Sequence, residues 1–191
     1  GHCITLCDLS RKMLDKAMEN FSQQGLGHLF LPVHGPIQDL GNQGKGPFDL
    51  VLCHAVLEWV KDPRGLIKSL MALTDSRGIL SLVFYNLNGM VFKNLLRTNY
   101  KKILEKDYPG YPGSLTPTWP RDPQDVLAWL SAHPLDILCH SGIRVFHDYI
   151  LDPRDRERRP EAVVDLELQF SRQTPYRDLG RFIHILGRKR G

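Results

Sequence analysis

The sequence lacks long hydrophobic runs, a large excess of either charge and any low-complexity segment. No stretch approaches the roughly 18 consecutive apolar residues of a membrane-spanning helix, so we expect no membrane partner. Lysine and arginine number 25 against 21 aspartate and glutamate residues, and the formal net charge of +4 is too small for a polybasic tail. With 42% hydrophobic and 24% charged residues, the composition is that of a globular protein, and 191 residues suit one domain.

Cysteine is scarce, and the chain has no initiator methionine. The four cysteines form no CxxC pair, which favours reduced, buried thiols in a cytoplasmic protein over a disulfide framework or a metal site; they are Cys3, Cys7, Cys53 and Cys139. The chain begins at Gly1 without a secretory leader and enters a strand-like run almost at once. We therefore expect an N-terminally incomplete chain.

Apolar runs of strand length alternate with helical patterns. Strands are predicted at residues 3–7, 29–34, 48–53, 79–85, 135–139, 143–149 and 181–187, and helices at 13–21, 64–73, 90–104, 123–130 and 161–170. The alternation predicts an α/β fold with a mostly parallel sheet and right-handed crossovers. The run 48–53 is apolar throughout, as in a strand covered on both faces. Residues 88–120 interrupt the rhythm and are interpreted as an insertion, with loop chemistry at 108–113.

Ligands of open parallel sheets bind beyond the carboxyl ends of the strands, which directs attention to three positions. Asp8 can accept hydrogen bonds from the two hydroxyls of a ribose, or it can be a plain turn residue before Ser10. Gln38 and Asp39 can read the edge of an adenine, or belong to a polar loop. His54 can contact the reactive part of a cofactor, or be a structural histidine.

Three segments resemble the motifs of the class I S-adenosylmethionine-dependent methyltransferases, a Rossmann-like family. They are residues 6–10 (LCDLS), 48–59 (FDLVLCHAVLEW) and 77–86 (RGILSLVFYN). Within that superfamily the chain is similar to the tRNA 5-carboxymethoxyuridine methyltransferases, through residues 54–60 (HAVLEWV), 84–86 (FYN), 108–109 with 120–123 (YP and PRDP), 142–149 (GIRVFHDY) and 180–184 (GRFIH). This likeness extends over nearly the whole chain.

The resemblance implies methyl transfer from S-adenosylmethionine to the carboxylate of 5-carboxymethoxyuridine at the wobble position of tRNA, in the cytoplasm and without a metal. It implies a cofactor site that includes Asp8, Ile37, Gln38 and His54. An arginine fork suits a substrate carboxylate, and the candidates within family-like motifs are Arg121, Arg144 and Arg181, with Tyr85, Asn86 and His147 as neighbours. Residues 1–191 would form one methyltransferase domain, with 88–120 as a cap on the tRNA side.

Contacts to tRNA are expected from basic and aromatic residues. The basic candidates are Lys101, Lys102, Lys106, Arg154, Arg156, Arg158 and Arg159, and the stacking candidates are Tyr108, Tyr111 and Trp119. In each case a solvated surface or a pinned loop is the alternative.

The family opens with a strand and a glycine-rich turn that do not precede Gly1 in this sequence, which leaves other functions open. One is a small-molecule methyltransferase of the same fold, with residues 88–120 as a lid. Another is a nicotinamide-dependent oxidoreductase, since Asp8 suits either cofactor. A third is a non-catalytic RNA-binding fragment.

Overall fold

The computed structural model describes residues 1–109 and 114–191, which form two compact units, Gly1–Pro47 and Phe48–Gly191. Tyr111 lies outside the described residues, as does most of the loop predicted over residues 108–113. The strands are β1 (Ile4–Asp8), β2 (Phe30–His34), β3 (Phe48–His54), β4 (Thr74–Tyr85), β5 (Leu135–Ile143) and β6 (Phe182–Lys189). The helices are α1 (Arg11–Gln23), α2 (Pro63–Leu73), α3 (Leu87–Leu96), α4 (Tyr100–Leu104), α5 (Pro123–Ser131), α6 (Pro153–Arg158) and α7 (Pro160–Phe170).

The smaller unit is a strand, helix and strand, as predicted. Ser10 caps α1 through a hydrogen bond from the backbone N–H of Met13 to its side-chain oxygen. β1 and β2 are parallel, and Asp8 lies opposite His34 in the register. The carboxyl ends of both strands therefore meet at one edge, and a short 3₁₀ helix, Ile37–Asp39, follows β2 there.

The larger unit contains a four-stranded sheet in the order β3-β4-β6-β5. Asp62 and Asp122 cap α2 and α5, and a proline follows each cap at the first helical position. Many fully buried side chains of this unit lie on α2, α5 and the central strands β4 and β6; they include Leu66, Ile67, Leu70, Leu80, Leu82, Phe84, Leu130, Ile183 and Ile185. This core fixes the ends of β4 and β6.

The strand directions correct one part of the sequence prediction. β3 is parallel to β4, but β6 is antiparallel to both β4 and β5. Among the four strand pairings of the described residues two are parallel and two antiparallel, so the strands are mixed rather than mostly parallel. β3 is also not covered on both faces, since Leu50 and Leu52 are 53% and 58% exposed.

The predicted strand over residues 143–149 is wrong. β5 ends at Ile143, and the backbone of Arg144 adopts a positive φ of 59°, which breaks the extended conformation. A short 3₁₀ helix, His147–Tyr149, follows. This irregular segment carries several side chains of the site described next.

Two further expectations differ in detail. The helix predicted over 90–104 is two helices, α3 and α4, separated by Thr98 with a φ of 58°. Cys3 is exposed rather than buried, whereas burial raises the pKa of the Cys53 thiol to about 12. No helix among residues 1–109 and 114–191 is long and apolar enough to cross a membrane.

Candidate active site

In the larger unit, three sequence-predicted residues meet beside a single buried carboxylate. Tyr85 ends β4 and lies opposite Phe182, the first residue of β6, so Arg181 precedes β6 at the same end of the sheet. Arg144 follows β5, whose last residue, Ile143, also pairs with Phe182. The three residues come from separate parts of the sequence, and the strand register brings their backbones to one edge.

Asp148 is the buried carboxylate, with 3% of its surface exposed. Its Oδ1 lies 2.5 Å from Nη2 of Arg144, and its Oδ2 lies 3.1 Å from Nη1 of Arg181 and 3.4 Å from Nζ of Lys93. Three cations thus surround one anion. We call Lys93, Arg144, Arg181 and Asp148 the cation cluster.

Charge decides the ionisation of Asp148. Burial alone would raise the pKa of its carboxyl, but hydrogen bonding with His147 and the charges of the three neighbouring cations hold that pKa below its ordinary value. Asp148 is therefore ionised at neutral pH. Its single negative charge leaves two positive charges of the cluster uncompensated.

Arg181 and His147 have further neighbours in and around the cluster. The guanidinium of Arg181 lies 5.5 Å from the centre of the Tyr85 ring, and its Nε is buried without a hydrogen-bond partner among the described residues. Nδ1 of His147 lies 2.9 Å from Nη2 of Arg144 and 3.3 Å from Asp148, so its role depends on which ring nitrogen carries the proton. The cluster therefore combines a buried nitrogen, unpartnered in the described part of the chain, with a histidine whose partner depends on its tautomer.

Arg121, another candidate, has a different environment in the larger unit. Its Nε donates to the carbonyl of Leu57 at 3.0 Å and its Nη2 donates to the carbonyl of Val60. Nearby Glu58 is buried, and burial raises the pKa of its carboxyl while the charge of Arg121 opposes that rise. The side chain of Arg121 thus ties down the segment after β3.

Asn86, predicted as a neighbour of the substrate, also makes backbone contacts. Its side-chain nitrogen donates to the carbonyls of Asp178 and Gly180 at 2.9 and 2.8 Å. It is fully buried and holds the segment that leads to Arg181.

His54, at the carboxyl end of β3, belongs to a chain of three side chains across the sheet. Nε2 of His54 and Nε2 of His184 each lie 2.9 Å from the Ser81 hydroxyl. Burial lowers the pKa of both histidines, so both are neutral at pH 7. The hydroxyl has one proton, and it can donate to only one ring and must accept from the other.

The smaller unit holds the other predicted cofactor residues. Oδ1 of Asp8 accepts a hydrogen bond from the backbone N–H of Ser10 at 2.7 Å, and Oδ2 has no partner among the described residues. Ile37 and Gln38 lie in the 3₁₀ helix after β2, at the edge where β1 ends. A carboxylate with a free oxygen beside a half-buried loop fits the ribose and adenine of an adenosyl cofactor.

Sequence reasoning missed residues that the structure places at the site. Asp148 stands four positions after Arg144 in the 142–149 motif, and an acid at that spacing was the one available signal. Ser81 and His184 lie within the family-like segments 77–86 and 180–184 but were not singled out there, and no local pattern marks Lys93 on α3. Within the described residues no group of three or more acidic, histidine or cysteine side chains has the arrangement of a metal site.

Comparison with known proteins identifies relatives of this chain. A family of methyltransferase domains matches residues 2–80. The tRNA 5-carboxymethoxyuridine methyltransferase of Escherichia coli (strain K12) is 38% identical over 189 residues, which are 99% of this chain and 72% of that protein. The ubiquinone biosynthesis O-methyltransferase of Caulobacter sp. (strain K31) is 27% identical over 139 residues, 72% of this chain and 52% of that protein.

A solved structure shows the same fold. The magnesium protoporphyrin IX methyltransferase of Synechocystis PCC 6803, crystallised with bound SAH, superposes with a TM-score of 0.59 at 18% identity. The match covers 99% of this chain and 65% of that one, so the chain spans slightly less than two thirds of that structure's length. The chain is an α/β protein that belongs to the class I S-adenosylmethionine-dependent methyltransferases, in the family of the tRNA 5-carboxymethoxyuridine methyltransferases.

Proposed function

We propose that this protein methylates the carboxylate of 5-carboxymethoxyuridine at the wobble position of tRNA and forms the methyl ester. The observation that carries the proposal is the cation cluster, in which three cations face one carboxylate. The relative that is 38% identical is named for that nucleoside, which supplies the substrate class.

A second carboxylate completes the charge balance of the cluster. Each arginine uses one terminal nitrogen on Asp148, which leaves the other donors of its planar fork for the substrate. Because the cluster is half-buried beside Tyr85, a charge-assisted hydrogen bond there is stronger than one in open water.

The chemistry asks little of the protein beyond binding and orientation. S-adenosylmethionine supplies the electrophilic methyl group. A carboxylic acid with an ordinary pKa of roughly 4 is already ionised at pH 7, so no general base is needed. Arg144 and Arg181 would hold the carboxylate so that one oxygen stays free to attack, and the surrounding side chains would exclude water.

The cofactor is assigned to the residues at the strand ends. Asp8 would accept the ribose hydroxyls, and Ile37 and Gln38 would line the adenine side. His54, oriented by Ser81, would face the reactive end of the cofactor. These roles come from the family resemblance and are supported by the free oxygen of Asp8.

The tRNA would meet exposed basic side chains, and residues 88–120 would cap the substrate side. Several candidates have local partners, because Lys101 lies 4.0 Å from Glu105, Arg154 pairs with Asp152 and Arg156 donates to the carbonyl of Ile150. Arg158 and Arg159 are exposed and have no ion-pair partner among the described residues. Trp119 is 39% exposed and offers a stacking surface, as does half-buried Tyr108.

A tRNA substrate would place the protein in the cytoplasm.

The test is methyl transfer to tRNA with and without the carboxymethoxy group. Mass spectrometry of the digested nucleosides should show the mass of one added methylene, and mild alkali should restore the acid. Arg144→Gln and Arg181→Gln should each lower kcat/KM about tenfold or more, since each removes a charge-assisted hydrogen bond. Arg172→Gln, at an exposed position, is the matched control.

The same assay separates the alternatives. Methylation of a small carboxylic acid but of no tRNA would favour a small-molecule methyltransferase. Calorimetric titration with S-adenosylmethionine should show saturable binding that Asp8→Ala removes. Absence of binding in the complete protein would contradict the proposal and favour an RNA-binding role.

A further inference from the structure

One acidic side chain of α7 holds the segment that carries the cation cluster. Oε2 of Glu167 accepts the backbone N–H of Val145 at 2.6 Å, and Oε1 accepts those of Phe146 and His147 at 2.9 and 2.8 Å. Three consecutive backbone donors therefore converge on a single carboxylate. A convergent set of this kind forms a concave site for an anion, which Glu167 fills from within the chain.

The three donors converge because of the backbone conformation just before them. Arg144 has a positive φ of 59°, which ends β5 and turns the next N–H groups to one side. The left-handed region is unfavourable for an arginine, so the surrounding structure must maintain it. The carboxylate of Glu167 is the group within the described residues that meets all three of the N–H groups that follow.

The segment has a second attachment that does not depend on charge. The ring of Phe146 packs edge-to-face against Phe170 at 5.4 Å and tilted against Tyr176 at 5.6 Å. These apolar contacts keep the segment near α7 when the carboxylate is changed. Loss of the Glu167 hydrogen bonds should thus alter the orientation of the backbone rather than unfold the segment.

We propose that Glu167 is a positioning residue for the substrate carboxylate. It fixes the 144–148 backbone so that the side chains of Arg144 and Asp148 keep the geometry of the cation cluster. It acts through that backbone and does not touch the substrate itself. The inference rests on the proposed function, because it assigns Glu167 to the acceptor side of the reaction and not to the cofactor side.

The experiment compares Glu167→Gln and Glu167→Asp with Glu161→Gln, an exposed position on the same helix. In Glu167→Gln the side-chain NH₂ group opposes a backbone N–H, so at least one of the three hydrogen bonds is lost. We expect kcat/KM for tRNA to fall on the order of tenfold, since small misplacement of a binding group is costly. The dissociation constant for S-adenosylmethionine should stay within about twofold, as should every parameter of Glu161→Gln.

Hydrogen exchange supplies the readout on the segment itself. The amides of Val145, Phe146 and His147 should exchange faster in Glu167→Gln than in the wild type. Glu167→Asp retains the charge at shorter reach, so it should show a smaller loss of activity and a smaller change in exchange.

The outcomes separate the two claims. Faster exchange at the three amides with unchanged kcat/KM for tRNA would overturn the positioning role, and so would an equal loss of cofactor affinity. Exchange that does not change would overturn it as well. A wild-type protein that methylates no tRNA carboxylate would overturn the proposed function, and the inference with it.

Discussion

At the scale of single residues, Asp148 determines whether the cation cluster is stable in the absence of a ligand. It lies 3% exposed among Lys93, Arg144 and Arg181, and its ionised carboxylate is the anion that meets all three cations. Removing one partner of a buried ion pair costs far more than the pair contributes, because charges are left uncompensated. Asp148 is for that reason a structural requirement as well as a part of the site.

Replacing Asp148 with Asn should lower the free energy of unfolding by about 3 kcal/mol at pH 7. The difference should shrink in acid. The folded pKa of Asp148 lies below its unfolded value of roughly 3.9, so its contribution is fully present above that value. It is lost as the pH falls through the folded pKa. Urea unfolding from pH 7 to the acid limit of folding measures this dependence.

The control for this variant is Asp165→Asn on α7, where the side chain is exposed. Its free energy of unfolding should match that of the wild type at every pH. Equal stability of Asp148→Asn and wild type at pH 7 would show that the cluster does not need its carboxylate.

At the scale of elements, close backbone packing sets the position of Arg181. A Cβ atom on Gly89 of α3 would lie 2.5 Å from the carbonyl oxygen of Gly180 and 3.0 Å from that of Leu179. The Tyr149 hydroxyl lies within hydrogen-bonding distance of the carbonyls of both Leu179 and Gly89. Helix α3 can approach the start of β6 only because residue 89 has no side chain.

Gly89→Ala should therefore lower the free energy of unfolding by about 2 kcal/mol, since the added atom meets backbone that cannot move aside. Gly41→Ala is the matched control, because its Cβ would meet no atom within 4 Å. Thermal and urea unfolding measure both variants. A Gly89→Ala protein as stable as the control would mean that α3 shifts without cost.

The helices and strands also show how much of the fold can be predicted from the sequence. Period and capping located α2 and α5 within a residue or two, because Asp-Pro pairs and apolar spacing are local signals. The direction of β6 could not be predicted from the sequence. A helical connection after β5 suggests a parallel strand, and only the strand register in the structure shows that β6 is antiparallel to β5. Arg144 is predicted as a candidate, but the sequence does not show its positive φ, nor that Glu167, 23 positions away, accepts the backbone N–H groups of the residues that follow it. The contact between Lys93 and Asp148 depends on tertiary packing, so no local sequence pattern predicts it.

At the scale of the whole molecule, the net charge of +4 is too small to attract nucleic acid by itself. Binding of tRNA would therefore depend on where the exposed cations lie. Arg158 is the last residue of α6, Arg159 lies between α6 and α7, and both are exposed. Phosphate contacts release counterions, so each contact adds to the salt dependence of the binding constant.

The double variant Arg158→Gln/Arg159→Gln should weaken tRNA binding and reduce the slope of log K against log salt by about 1 to 2. Filter binding or fluorescence anisotropy over a range of salt concentrations measures the slope. Lys61→Gln/Lys68→Gln removes two exposed charges elsewhere on the larger unit and should leave the slope unchanged. Equal slopes for the wild type and the arginine variant would place the tRNA on another surface.

The uncompensated charge of the cation cluster has a consequence for turnover. Under the proposed function, the substrate would carry a carboxylate into the cluster, and esterification would remove that negative charge while the cations remain. The attraction that favours binding of the acid would then be missing for the ester. The methylated tRNA would therefore bind more weakly than unmodified tRNA, which would limit product inhibition.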